Sequence, residues 1–165
     1  MNNVILIGMP GSGKSTVGVV LAKRLGYRFV DSDLVIQEQE GKLLHEIISK
    51  QGQEGFLKVE NRINAGIQGE KMVLATGGSA IYGPDAMEHF QQLGTIVYLK
   101  LSCDSIAERL GDLHERGVVL PDGFTLQDLY EQRIPLYEKY AMVTIDCENQ
   151  IIRDIVKQIE EALTR

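Results

Sequence analysis

Gly8-Met9-Pro10-Gly11-Ser12-Gly13-Lys14-Ser15-Thr16 has the spacing G-x-x-x-x-G-K-[ST], and it stands between the apolar run Val4-Ile5-Leu6-Ile7 and a helical pattern over 14–25. That placement gives the spacing its meaning. Glycines at 8, 11 and 13 let the backbone turn so that successive N–H groups face inward, and the helix starting near Lys14 adds the positive end of its dipole. Such a turn holds phosphate oxygens without a basic surface. Lys14 is placed to reach the β- and γ-phosphates of ATP, and the Ser15 hydroxyl to ligate magnesium. Gly11, Ser12, Gly13 and Thr16 complete the phosphate contacts.

Short apolar runs at 4–7, 28–31, 72–76, 96–101 and 142–146 alternate with helical patterns at 14–25, 34–40, 43–50, 55–67, 84–93, 104–110, 126–140 and 151–164. The alternation predicts an α/β fold with a parallel five-stranded sheet covered by helices. Nearly all positions in these runs are apolar, as in strands buried on both faces. The stretch 111–123 differs: it is polar, is broken by Gly117, Pro121 and Gly123, and joins two helical segments. A connection of this length in a compact domain is either a mobile functional loop or disordered.

With 165 residues the chain is expected to form a single domain over 1–165. A net charge of −6 argues against a nucleic-acid surface, which needs clustered Lys and Arg. No run reaches membrane-spanning length, and the apolar start lacks the basic flank of a signal peptide, so no membrane partner and a cytoplasmic location are expected. Small molecules are the expected partners, and a monomer is compatible with the size and charge. Cys103 and Cys147 lack the paired spacing of a zinc site and read as buried free thiols.

The second strand ends in Asp31-Ser32-Asp33, at the carboxyl edge where open α/β sheets bind ligands. Residues two apart on extended backbone point to the same side, so one carboxylate can serve the metal and the other the substrate. The competing reading is that these residues cap the following helix. A phosphate loop near residue 8 followed by D-x-D on the second strand resembles the shikimate kinase family. Three further segments are similar to motifs of that family: Gly52-Gln53-Glu54-Gly55-Phe56-Leu57-Lys58-Val59-Glu60, Thr76-Gly77-Gly78-Ser79 and Arg133-Ile134-Pro135-Leu136-Tyr137.

The resemblance implies a P-loop NTPase fold of three layers, α/β/α, with strand order 2-3-1-4-5 and a mobile lid over about 111–123. It implies an ATP- and magnesium-dependent kinase that phosphorylates a hydroxyl of a small hydroxylated acid, shikimate, in aromatic amino acid biosynthesis. By the same resemblance Asp31 assists magnesium, Asp33 holds acceptor hydroxyls and is the candidate base, and the Gly77-Gly78 turn offers N–H groups to the acceptor. Arg133 binds its carboxylate, Arg116 reaches over the phosphates from the lid, and Arg109 lies on the adenine side. His114 is assigned nothing.

The chain departs from the family pattern at Leu57, where the resemblance implies a second carboxylate-clamping Arg, and at Gln53 and Ser79. Losing a guanidinium contact costs about 1.5–3 kcal/mol unless another cation such as Lys58 compensates. A sister kinase for another small metabolite or a nucleoside monophosphate therefore stays open. So does a nucleotide-binding module that transfers no phosphate.

Overall fold

The computed structural model describes residues 2–111 and 123–165. Strands β1 (Val4–Ile7), β2 (Arg28–Asp31), β3 (Met72–Ala75), β4 (Thr95–Lys100) and β5 (Val143–Asp146) form one parallel sheet. Their order is β2-β3-β1-β4-β5, the order the family resemblance implied.

The helices are α1 (Lys14–Leu25), α2 (Ser32–Glu40), α3 (Leu44–Ala65), α4 (Pro84–Leu93), α5 (Cys103–Leu110), α6 (Leu126–Tyr140) and α7 (Ile152–Leu163). Crossovers between parallel strands are right-handed. The step from β1 to β2 runs one way along the sheet and the step from β3 to β4 the other way, so their helices fall on opposite faces. Accordingly α1 packs with α7 on one face, while α3 packs with α4 on the other. Because β1 and β3 are neighbours whose chains leave in opposite directions, a crevice opens beyond their carboxyl ends.

The core explains why that crevice is firmly placed. All four residues of β1 are at most 2% exposed, and each fully buried aliphatic side chain contributes about 1.5–3 kcal/mol. The phosphate loop thus leaves a fully buried strand with a neighbour on each side. The expectation that all five strands are buried on both faces fails at the two edges: in β2 Arg28 is exposed and the rest half-buried, and in β5 only Ile145 is buried. An edge strand has a neighbour on one side only.

The helices read at 43–50 and 55–67 are both present as the two arms of α3, parted by a kink at the non-helical Gly52 (φ 75°, ψ 178°). Two further expectations change. Helix α2 begins at Ser32, two residues before the predicted start, because Asp31 caps it by accepting the Asp33 N–H at 2.9 Å. Cys147 is buried, whereas Cys103, at the start of α5, is only half-buried.

Candidate active site

The loop between β1 and α1 forms one wall of a cavity of about 650 Å³. Gly13 caps α1 with φ 99°, a conformation that side-chain-bearing residues rarely adopt. No side chain caps the first turn and no acid lies within it, so its N–H groups are free for an anion. Gly11, Gly13, Lys14, Ser15 and Thr16 all line the cavity. Ser12 does not: its N–H closes a turn on the Met9 carbonyl at 3.1 Å, and its side chain is buried.

Lys14 is 8% exposed, and its Nζ donates to the carbonyls of Gly8 at 2.6 Å and Met9 at 2.9 Å. One of its three protons remains for a ligand. Burial lowers the Lys14 pKa to about 7, while Asp33 and Asp31 act in the opposite direction and Arg133 adds to the lowering. An incoming anion would favour the charged form and restore the proton.

Asp31 and Asp33 line the same cavity, close enough to Lys14 for their charges to favour its proton. They do not meet there as alternate residues of a strand, since Asp33 already lies in α2; Asp31 caps that helix and faces the cavity at once. The Asp33 pKa is raised to about 6, first by burial and then by Asp31, with Lys14 opposing.

Beyond β3 the chain turns at Gly77 and Gly78, and both need their lack of a side chain. A Cβ on Gly77 would lie 2.8 Å from Asp33 Oδ1 and 3.2 Å from Glu60 Oε2. On Gly78 it would lie 2.7 Å from Pro10 Cδ and 2.8 Å from Arg133 Nη1. The turn is therefore a floor on which two carboxylates and a guanidinium converge.

Arg133, on α6, is 3% exposed, yet among the described residues no carboxylate lies within ion-pairing distance of it. Its neighbour is Tyr82, whose ring centroid is 5.4 Å from the guanidinium carbon and whose hydroxyl receives a long hydrogen bond of 3.4 Å from Nε. A buried cation with no carboxylate in ion-pairing contact is costly, and an anion brought by a ligand would offset that cost.

The sequence motif alone points to no role for Glu60, which stands there only as its last residue. The structure puts it in the cavity wall at 2% exposure, with its pKa raised to about 7, chiefly by burial. A signal was present: with Phe56, Val59 and Ile63 it shares the buried stripe of α3, and a carboxylate on such a stripe is out of place unless used. Leu57 packs on the small cluster of Ile36, Ile47, Phe56, Val59 and Ile63, and Lys58 is exposed. Neither lines the cavity, so Lys58 brings no second cation to the site.

Arg109, on α5, reaches across the phosphate loop, with Nη1 3.3 Å from the Gly11 carbonyl. It also borders a second cavity of about 370 Å³, beside Ser105, Glu148 and Gln150. Arg116, His114 and most of the expected lid lie outside the described residues.

A phosphate cradle that opens onto convergent carboxylates, at the switch point of a 2-3-1-4-5 sheet, is the layout of a P-loop phosphotransferase. Residues 10–164 match the family model described as shikimate kinase, and the chain belongs to the shikimate kinase family, phosphotransferases with a hydroxyl acceptor. It is 37% identical over 165 residues to a shikimate kinase of Francisella tularensis subsp. novicida, covering 98% of this chain and 94% of that protein. Shikimate kinase from Acinetobacter baumannii in complex with shikimate superimposes with a TM-score of 0.89 at 32% identity, covering 99% of this chain and 93% of that one. Shikimate kinase from Aquifex aeolicus does so at 0.85 and 30%, covering 98% and 96%.

Proposed function

We propose that this chain phosphorylates a hydroxyl of shikimate with the γ-phosphoryl group of ATP, as a single cytoplasmic kinase domain. The observation that carries the reading is Arg133: a buried guanidinium, without a protein carboxylate to pair with among the described residues, faces a cavity whose other wall is a phosphate cradle. An acceptor bearing one carboxylate supplies the missing charge, and its ring hydroxyls then fall toward Asp33.

Phosphoryl transfer is largely positioning and charge stabilisation. The first turn of α1 and Lys14 take the phosphate oxygens, and Arg109 takes the nucleobase side, next to the smaller cavity. The acceptor oxygen bonds to the γ-phosphorus, and the bond to the β–γ bridging oxygen breaks with its electron pair staying on ADP. The hydroxyl proton passes to Asp33, whose pKa of about 6 leaves it mostly ionised at pH 7 and close enough to be an effective base. Arg116, outside the described residues, is assigned over the phosphates from the family resemblance alone.

Magnesium fits this donor set. Among the described residues no three His, Cys, Asp or Glu side chains gather into a metal cage, whereas Ser15 and Asp31 offer two hard oxygens at the phosphate side of the cavity. Magnesium is commonly held by one or two protein oxygens, with phosphate oxygens and waters completing the shell. When bound it would neutralise charge on the phosphates.

One observation favours a second reading. With Leu57 packed away and Lys58 exposed, Arg133 is the one described guanidinium on the acceptor side, which suits a sister kinase for a different hydroxy acid. Acceptor-dependent ADP release with Mg-ATP decides between them, run with shikimate, quinate, gluconate, homoserine and nucleoside monophosphates on the wild type and on Leu57→Arg. Fast turnover with shikimate alone supports the first reading. Poor turnover that improves in Leu57→Arg supports the second, and ATP binding without turnover on any acceptor overturns both.

A further inference from the structure

Ser79 stands at the N-cap of the one-turn 3-10 helix Ala80–Tyr82, a position where serine ordinarily satisfies its own helix end. Here its side chain makes no cap. The Oγ instead donates to Glu60 Oε1, on α3, at 2.7 Å. The other oxygen, Glu60 Oε2, is fully buried and has no partner among the described residues. It faces Gly77 from the same side as Asp33 Oδ1, inside the cavity that Arg133 closes. A buried, unpaired acceptor is expensive to maintain and is kept where a ligand completes it.

We infer that Ser79 is a positioning residue for the acceptor: it anchors one oxygen of Glu60 so that the other is presented to an acceptor hydroxyl beside Arg133. This inference rests on reading that cavity as the acceptor site. Without Ser79 the carboxyl has no hydrogen-bond donor among the described residues and can rotate about its last torsion, so Oε2 loses its fixed aim. The charged groups facing Glu60 are Asp33 from α2 and Arg133 from α6; Ser79 is its one neutral partner. The bond also steadies the ionised form, so its loss raises the proton affinity of Glu60.

The test is calorimetric binding of shikimate in the presence of ADP, with ADP affinity and thermal unfolding as controls. Ser79→Ala is expected to weaken shikimate about fivefold to tenfold, with ADP affinity unchanged and Ser79→Thr restoring the wild-type value. In a Glu60→Ala background Ser79→Ala is expected to add nothing. Unchanged shikimate affinity in Ser79→Ala, or the same loss with and without Glu60, overturns the inference. If the wild type neither binds nor phosphorylates shikimate, the proposed function falls and the inference is decided without the acceptor. The side-chain carboxyl of Glu60, followed by carbon-13 NMR in the free protein, must then titrate at higher pH in Ser79→Ala; an unmoved midpoint overturns it.

Discussion

The hydroxyl of Tyr137 donates to the carbonyl of Gly78 across 2.7 Å, one helical turn beyond Arg133 on α6. The bond ties the helix that carries the guanidinium to the Gly77-Gly78 turn in the cavity wall. The Tyr137 ring is itself held, stacked on Tyr98 of β4 with centroids 5.2 Å apart. Tyr137→Phe keeps the stack and strips the donor from that carbonyl. It is expected to cost about 1–3 kcal/mol in urea unfolding and to weaken the acceptor while sparing nucleotide affinity. A variant as stable as the wild type, with normal acceptor binding, would show that this bond positions nothing.

Lys14 links two carbonyls of its own loop while pointing a third proton into the cavity. Its side chain belongs to the cradle, and burial already opposes its charge. Lys14→Ala should therefore fold normally by circular dichroism and lose turnover by about a hundredfold to a thousandfold, the range for removing one preorganised donor to developing charge. Near-normal turnover in the folded variant would refute its assignment.

Much of this architecture is legible in the amino-acid order because its signals are local. Helices α1, α4 and α6 lie where apolar periodicity put them, and the phosphate loop declares itself within nine residues. Asp31-Ser32-Asp33 allows two readings, cap or site, and in the structure Asp31 caps α2 while also lining the cavity, so the two do not exclude each other. Long-range pairings leave no such local mark. The strand order came through family resemblance, and the bond from Ser79 to Glu60 joins residues 19 apart through the packing of α3 on the 3-10 helix. Lys58 shows the same limit. A step of about 100° around a helix separates a solvent face from a buried one, and only packing tells which residue takes which.

Glu60 makes stability depend on pH. Its pKa of 4.5 when unfolded rises to about 7 in the fold, so between those values the folded chain holds more protons than the unfolded one. Stability therefore falls as pH rises: the contribution is complete below 4.5 and is lost through about 7, with a size of roughly 3 kcal/mol. Glu60→Gln keeps the shape and removes the charge. Urea unfolding should find it more stable than the wild type by up to about 3 kcal/mol at pH 8, with a much smaller gain at pH 5. A gain of equal size at both pH values would mean that Glu60 does not hold its proton in the fold.

Gly77 and Gly78 are adjacent, yet what crowds them differs, and so should the effect of a methyl group at each. At Gly77 the added carbon meets Asp33 and Glu60, the two carboxylates proposed to face the acceptor. At Gly78 it meets Arg133 on the acceptor side and Pro10 in the phosphate loop. Neither of the latter can retreat cheaply, since the Pro10 ring is part of the cradle's backbone and Arg133 is buried under Tyr82. Gly77→Ala is accordingly expected to weaken the acceptor alone, and Gly78→Ala to weaken acceptor and nucleotide together. Calorimetry with shikimate and with ADP separates the two patterns. If Gly78→Ala binds ADP as the wild type does, the turn does not couple the two halves of the cavity, and the loop and the acceptor floor must be treated as independent.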